Sequence, residues 1–219
     1  MSPSIVVPVS RPRSLQRLLA SIEQYAPPST ETILILQCNA CVPDWAHVIR
    51  AEPSFPAPLR RLGATHAQGD YLLFLDDDHE LRPEFASHWR ALQDLADQPA
   101  LVSLPIRRNR HPRPRIVAMC GGMLLTREAY TRAGGHGDDY LDDVELCLRC
   151  KWAGIPIIRY HTPVTVHHYG ERGGLRDLPD VQPKRTAHLR LSRLAERYSD
   201  KLIPDPRSWW GFKEIRHDR

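Results

Sequence analysis

The stretch Tyr71-Leu72-Leu73-Phe74-Leu75-Asp76-Asp77-Asp78 joins five apolar residues to three consecutive carboxylates. An apolar run of this length, entered through Gly69-Asp70, is typical of a strand buried on both faces of a parallel sheet. Ligands of open α/β sheets bind at the carboxyl ends of the strands, where the acidic triplet would emerge. Three adjacent like charges repel one another, and a hard cation such as Mg²⁺ or Mn²⁺ would relieve that repulsion. The stretch therefore predicts a metal site that also attracts phosphate.

The acidic triplet fits a second interpretation as well. It could be a solvated turn that caps a helix beginning near Pro83, because carboxylates are favourable at the positive end of a helix dipole. The triplet alone leaves both interpretations open.

The composition is that of a globular α/β protein. A chain of 219 residues is long enough for one domain with a substantial core, or for a domain with a short appendage. Lys and Arg total 30 and Asp and Glu total 26; the charges are mixed, which disfavours a nucleic-acid tract and suits a small anionic substrate. No stretch approaches the length of a membrane span, and the N-terminus leads directly into a strand, so we expect a cytoplasmic protein.

The five cysteines, an odd number, suggest reduced thiols rather than a disulfide framework. The pairs Cys38/Cys41 and Cys147/Cys150 both have C-x-x-C spacing and could close a zinc site. More than a hundred residues separate the pairs, and the second lies in a helical pattern, which favours packing of Cys147 in the core.

Strand and helix patterns alternate along the chain. The first half predicts a strand at 5–9, a helix with a leucine stripe that Ser10 would cap and that ends before Pro27-Pro28, strands at 32–36 and 47–49, and a short helix at 59–68. The second half predicts a helix from 85 to 95, strands at 101–104, 121–126, 155–160 and 164–168, and helices at 127–133, from the acidic stretch 138–145 through Trp152, and near 189–195. Strand, helix and strand at this spacing indicate a βαβ unit.

Two charged segments lie outside the predicted core. Residues 107–115 are basic and rich in proline, and form either a loop over an anionic ligand or a solvated surface loop. They lack the interleaved aromatic residues of a nucleic-acid site. Residues 138–145 hold five carboxylates, which is more than helix capping requires.

Three blocks of the chain together resemble a family 2 glycosyltransferase of the GT-A fold. The first is Ser4-Ile5-Val6-Val7-Pro8-Val9 with its helix. The second runs from Arg60-Arg61-Leu62-Gly63 through Gly69-Asp70-Tyr71 to Phe74-Leu75-Asp76-Asp77-Asp78. The third runs from Gly121-Gly122 through Gly134-Gly135 to Asp142-Asp143-Val144-Glu145-Leu146. The resemblance covers residues 4 to about 170 and implies a single-domain α/β fold: a Rossmann-like, open, mostly parallel sheet flanked by helices.

The resemblance also implies roles for individual residues. Asp78 would ligate Mn²⁺ or Mg²⁺ that neutralises a diphosphate leaving group, and His167, with His168 as the alternative, would complete the metal shell. Asp143 would be the general base, with Asp142 as its acidic neighbour. The implied nucleotide-sugar-binding residues are Pro8, Ser10, Gln37, Asn39, Arg60, Asp76, Asp77 and Gly122.

The chain departs from the family pattern where the base of the nucleotide would bind. Gln37-Cys38-Asn39 replaces the common Asp after the second strand, Arg61 replaces an Asn, and Val9-Ser10-Arg11 replaces Thr-Tyr-Asn. An amide at Gln37 or Asn39 could pair with a base edge; we favour UDP and leave the base open.

The expected activity is inverting, metal-dependent sugar transfer from a nucleoside diphosphate sugar to a glycan, lipid-linked or small-molecule acceptor. The alternatives are a retaining, exostosin-like transferase of the same fold and a non-catalytic nucleotide-sugar- or glycan-binding relative. We expect a nucleotide-sugar half at 1–105, an acceptor half at 106–175 and a helical extension at 176–219. That extension, with Trp209-Trp210, could pack on the core or contact a membrane surface or partner.

Overall fold

The computed structural model describes residues 2–108, 117–138, 142–167, 194–204 and 212–214. Within these ranges the side chains of residues 106–108, 117–121, 142, 167, 203–204 and 212–214 are not described. Of the loop predicted at 107–115, residues 107 and 108 belong to a strand instead, and residues 109–115 lie outside the described residues, as do His168 and Trp209-Trp210.

The described elements form one large sheet, five helices and one small sheet. The strands of the large sheet are β1 (Pro3–Val9), β2 (Glu31–Leu36), β3 (His47–Arg50), β4 (Tyr71–Phe74), β5 (His79–Leu81), β6 (Leu101–Arg108), β7 (Val117–Thr126), β8 (Ile157–Arg159) and β9 (Thr165–His167). The helices are α1 (Pro12–Tyr25), α2 (Pro56–His66), α3 (Pro83–Ala96), α4 (Arg127–Arg132) and α5 (Asp142–Trp152). The small sheet pairs β10 (Leu202–Pro204) with β11 (Phe212–Glu214).

The large sheet has the order β3-β2-β1-β4-β7-β6-β9-β5, with β8 also paired to β6. Pairs among β1 to β4 are parallel, as are β6 with β8 and with β9. The pairs β4–β7, β6–β7 and β5–β9 are antiparallel. The expected mostly parallel α/β sheet is confirmed.

Helices cover both faces of the sheet because the central strands are apolar on both sides. Alternate residues of β1 point in opposite directions. Ile5, for example, joins the cluster that contains side chains of α1 and α3, whereas Val6 joins the cluster that contains side chains of α2, α4 and α5. All seven residues of β1 and all four of β4 are buried, so this strand pair forms the middle of a three-layer structure.

The structure corrects three expectations from the sequence. Ser10 does not cap α1: the N-cap is Arg11, which makes no side-chain cap hydrogen bond, and Pro12 opens the helix. The acidic triplet does not cap the helix that begins at Pro83, because β5 separates it from α3, whose N-cap is Arg82. The described part of the extension has a helical turn at 194–197 but also the β10–β11 pair, so it is not purely helical. The domain division near residue 175 remains a prediction.

Among the described residues, no helix combines the length and the apolar composition needed to cross a membrane.

Candidate active site

The acidic triplet leaves the carboxyl end of β4 beside the start of α1. The β1–β4 ladder ends at the pair Val6 and Phe74, whereas β1 continues to Val9. The last three residues of β1 therefore extend beyond the end of β4. The chain after Phe74 stays next to β1, because the backbone N–H of Leu75 donates to the carbonyl of Val6 at 3.1 Å. This end of β1 also accommodates Pro8, which has no N–H to contribute to a second ladder.

Asp77 anchors the N-terminus of α1. Its Oδ2 accepts the backbone N–H groups of Ser10 and Arg11 at 2.7 and 2.8 Å, and its Oδ1 accepts the Arg11 guanidinium. The carboxylate is 1% exposed. Burial raises the pKa of Asp77, and Arg11 opposes that shift. A residue predicted to bind nucleotide therefore caps a helix from across the chain, and Ser10 serves as one of its donors.

Two arginines balance the rest of the triplet. Arg11 also donates from Nη1 to Oδ2 of Asp78 at 2.6 Å, so one guanidinium joins two buried carboxylates. Burial alone would lower the pKa of Arg11, but the two aspartates more than offset this, and it is raised. Arg60, which is buried, pairs with Asp76, whose side chain is 32% exposed. Asp76 is therefore the member of the triplet most accessible to a ligand.

The described residues contain one group that could hold a metal ion: the ligand atoms of Asp76, Asp78 and His79 lie within 4.8 Å of one another. The carboxylate oxygens suit a hard cation such as Mg²⁺ or Mn²⁺. The backbone N–H of Asp76 donates to Nδ1 of fully buried His79 at 3.2 Å. A neutral imidazole with an accepting Nδ1 carries its proton on Nε2. In this geometry His79 contacts the backbone of Asp76, and the carboxylates of Asp76 and Asp78 could supply metal ligands.

His79 was missed in the sequence, whereas His167 was predicted as a metal ligand. The two residues are direct partners in the antiparallel β5–β9 pair, and His167 also faces Arg108 in the β6–β9 register. The backbone thus places His167 one strand away from His79. Its role as a ligand remains a prediction.

Asp143 is the second residue of α5, directly after Asp142, and its side chain is half-buried. Burial raises the pKa of Asp143 to about 6; the Val144 N–H and Arg60 oppose this rise, and Asp76 adds to it. Because Arg60 pairs with Asp76 and also acts on Asp143, the predicted base and the triplet share one electrostatic environment. Asp142 is placed by its backbone at the start of the same helix.

A buried histidine lies in residues 133–138, the described part of the connection between α4 and α5. The backbone N–H of His136 donates to the hydroxyl of Tyr130 at 3.1 Å, its Nδ1 lies 3.1 Å from the same oxygen, and its ring packs edge-on against Phe74 at 4.5 Å between centroids. Burial, and then Arg60, Arg149 and Arg61, hold the pKa of His136 well below its usual value. It is neutral at physiological pH and ties residues 133–138 to α4 and β4, and no motif in the sequence identified it.

The remaining predicted nucleotide-binding residues lie in β2 and β7 or just beyond. Gln37 accepts the backbone N–H of Ser54 at 2.6 Å, so its amide oxygen orders the chain after β3. Asn39, at the carboxyl end of β2, is exposed. Gly122 faces Leu104 in the β6–β7 register, and a Cβ at this position would lie 2.8 Å from the Leu104 Cβ. Close sheet packing therefore accounts for Gly122, and the ligand-binding roles of all three remain predictions.

The cysteine pairs do not form a metal site. The four described cysteines are free, and none belongs to the single candidate metal group of the described residues. Burial raises the pKa of Cys147 to about 12, which keeps its thiol protonated. This agrees with packing in the core.

Solved structures of similar fold include glycosyltransferases. TarS 1–349 of S. aureus in complex with UDP-GlcNAc matches with a TM-score of 0.64 and 12% identity, over 89% of this chain and 67% of that one. The mannosyltransferase PcManGT of Pyrobaculum calidifontis, in complex with GDP-Man and Mn²⁺, matches with a TM-score of 0.66 and 18% identity, over 90% and 64%. A further TarS 1–349 structure is covered over 60% of its length, so this chain spans about three fifths of such a relative. At these identities the likeness establishes the GT-A fold.

No curated protein matches the chain. The family model described as glycosyl transferase family 2 matches residues 4–115, slightly more than half of the chain, including β1, the arginine pair of α2 and the acidic triplet. The chain therefore belongs to glycosyl transferase family 2.

Proposed function

We propose that this protein is a metal-dependent, inverting glycosyltransferase that moves a sugar from a nucleoside diphosphate sugar to a hydroxyl group of a glycan, a lipid-linked compound or a small molecule. The observation that carries the proposal is the electrostatic link between Asp143 and Asp76 through Arg60. A carboxylate that could act as base and a carboxylate that could hold a cation thus belong to one site. A module that only bound a ligand would not need the base.

Asp76 and Asp78 would hold the divalent cation. When bound, Mn²⁺ or Mg²⁺ supplies the positive charge that stabilises a departing nucleoside diphosphate. His79 accepts the backbone N–H of Asp76, and Arg60 pairs with its side chain. Asp76, the more exposed of the two proposed metal ligands, is therefore oriented from two sides. The Mn²⁺ in the mannosyltransferase structure supports the same choice of ion.

Asp143 would take the proton of the acceptor hydroxyl. A pKa of about 6 leaves this carboxylate largely ionised at neutral pH and still basic enough to accept a proton as the hydroxyl attacks. A direct attack of this kind on the anomeric carbon displaces the diphosphate in one step and inverts the configuration. Product stereochemistry, followed by NMR of the anomeric proton, separates this route from retention.

The proposal also includes the base of the donor nucleotide. The structures of similar fold hold UDP-GlcNAc in one case and GDP-Man in the other. We take UDP as the first candidate, and Asn39, exposed beyond β2, as the amide available to a base edge.

Calorimetric titration tests the proposal directly. UDP, GDP, ADP and dTDP are titrated into the protein with Mn²⁺ and, separately, with EDTA. We expect one diphosphate to bind only with Mn²⁺ and to lose this binding in Asp78→Ala. Asp94→Ala is the matched control, because Asp94 lies in the last turn of α3 and forms an exposed pair with Arg90, one turn earlier. Failure of every diphosphate to bind with Mn²⁺ would refute the proposal.

A further inference from the structure

The described part of the C-terminal segment, residues 194–204, packs against α5, the helix that begins with Asp142 and Asp143. Leu194, Ala195 and Leu202 are buried in a small apolar cluster with Val144. The ring of Tyr198 packs on Trp152 with 4.9 Å between centroids, and Lys201 lies over the same indole at 4.8 Å. Contacts therefore run from the first turn of α5 to its last residue.

A buried carboxylate joins the two elements. Glu145 is fully buried, and its Oε1 accepts the Tyr198 hydroxyl at 2.6 Å. The guanidinium groups of Arg149 and Arg197 reach the same oxygen at 2.9 and 3.3 Å. Two of the three donors come from the C-terminal segment, more than fifty residues further along the chain than Glu145. A buried charge needs such partners, because loss of any of them leaves it undercompensated.

The same cluster also holds residues 134–137, in the described part of the connection before α5. Arg149, which also donates to the Tyr198 hydroxyl at 3.0 Å, bonds the carbonyls of Gly134 and Gly135 at 2.9 and 3.2 Å. A Cβ on Gly137 would lie 2.0 Å from the Glu145 carboxylate, so the loop backbone rests directly on that group. Glu145 therefore holds the first turn of α5 between this loop and the C-terminal segment.

We propose that Tyr198 and Arg197 are positioning residues for the catalytic helix, and that through Glu145 they hold Asp143 in the half-buried place from which it removes a proton. This inference rests on the proposed function for the role of Asp143, but the packing it describes does not. Residues 194–204 then support the active site through their contacts with α5.

Tyr198→Phe is the sharpest variant. It keeps the ring that packs on Trp152 and removes only the hydroxyl, so the fold should survive. Arg197→Gln removes the second donor from the segment, and the double variant removes both. Glu196→Gln is the matched control, because Glu196 is an exposed neighbour in the same helical turn. Arg197→Lys tests rescue by a retained charge.

The first readout does not depend on turnover. The protonation of Asp143 is followed by NMR of ¹³C-carboxyl-labelled aspartate, with the signal assigned by Asp143→Asn. A loosened α5 gives Asp143 more water, so its pKa should fall from about 6 toward the ordinary aspartate value near 4 in Tyr198→Phe, and further in the double variant. Glu196→Gln should leave the pKa of Asp143 unchanged. The pKa in Arg197→Lys should lie closer to the wild-type value than the pKa in Arg197→Gln.

The second readout is release of nucleoside diphosphate from UDP-GlcNAc and from GDP-Man with Mn²⁺. We expect kcat to fall about tenfold or more in the double variant, with calorimetric nucleotide affinity unchanged, because a misplaced base costs rate rather than binding. An unchanged pKa of Asp143 in the double variant would overturn the inference. If Asp143→Asn released nucleoside diphosphate at the wild-type rate, the proposed function would be refuted instead. The NMR measurement would still decide the inference about Tyr198 and Arg197.

Discussion

Arg11→Gln tests how the acidic triplet is held. Arg11 is the shared partner of Asp77 and Asp78, which are 1% and 3% exposed. Removing one partner of a buried ion pair costs about 3–5 kcal/mol. For a chain of this size, each kcal/mol shifts the melting temperature by about 2–4 °C, so we expect a fall of roughly 6–20 °C at pH 8 without metal.

The loss should depend on pH with a definite sign. Burial already raises the pKa of Asp77, and Arg11 is the main group that opposes the shift, so the variant raises it further. A carboxyl whose pKa is higher in the folded state is tolerated while protonated and is destabilising once ionised. The penalty is therefore smallest below the ordinary aspartate pKa near 4 and grows as the pH rises through the raised value.

Thermal melts at pH 4.5 and pH 8, with EDTA and with Mn²⁺, measure the effect. Arg13→Gln is the matched control, since Arg13 is exposed two residues further on. Mn²⁺ should raise the melting temperature of Arg11→Gln more than that of the wild type, because Asp78 no longer has to give up an arginine to bind the ion. Equal melting temperatures for Arg11→Gln and Arg13→Gln at pH 8 would refute the reasoning.

Three further predictions follow from single residues. Asp143→Asn should lower kcat by at least about 100-fold and abolish the decline of the rate below pH 6, measured as a pH–rate profile. Gly63→Ala should cost about 1–3 kcal/mol by denaturant unfolding, because its Cβ would lie 2.4 Å from Val6 and 2.7 Å from Ile35; a loss below 0.5 kcal/mol would mean that α2 shifts freely. Phe85→Ala, at a fully buried position, should cost about 3–5 kcal/mol in the same assay, and an unchanged midpoint would contradict its place in the core.

The elements that the sequence predicted well are those with a strong local pattern. The leucine stripe of α1, the apolar runs of β1 and β2 and the strand before the triplet all appear within a few residues of their predicted bounds. Such patterns reflect burial, which is a property of each residue and its near neighbours. β5 was missed because His79-Glu80-Leu81 is too short to show a period, yet its position separates the triplet from α3.

The contacts that the sequence could not reveal are those between distant segments. Arg11 reaches Asp77 across 66 positions, and Tyr198 reaches Glu145 across 53. The residues next to Asp77 in the sequence do not distinguish a carboxylate that caps a helix from one that binds a nucleotide. Comparison of motifs predicted a site in this region as a whole. Only the fold shows that the three adjacent aspartates differ in their exposure and in their arginine partners.

The charge balance at the carboxyl end of the sheet explains why these aspartates differ. Among the described side chains of this site, two guanidinium groups, those of Arg11 and Arg60, interact with four carboxylates: Asp76, Asp77, Asp78 and Asp143. Arg11 is committed to the buried pair, which leaves Asp76 and Asp143 to share Arg60. Four carboxylates against two arginines leave an excess of two negative charges when all are ionised, which is the charge that one divalent cation carries. The raised pKa of Asp143 follows from burial and from this same excess, so a cation bound at Asp76 should lower it and make the base available at a lower pH.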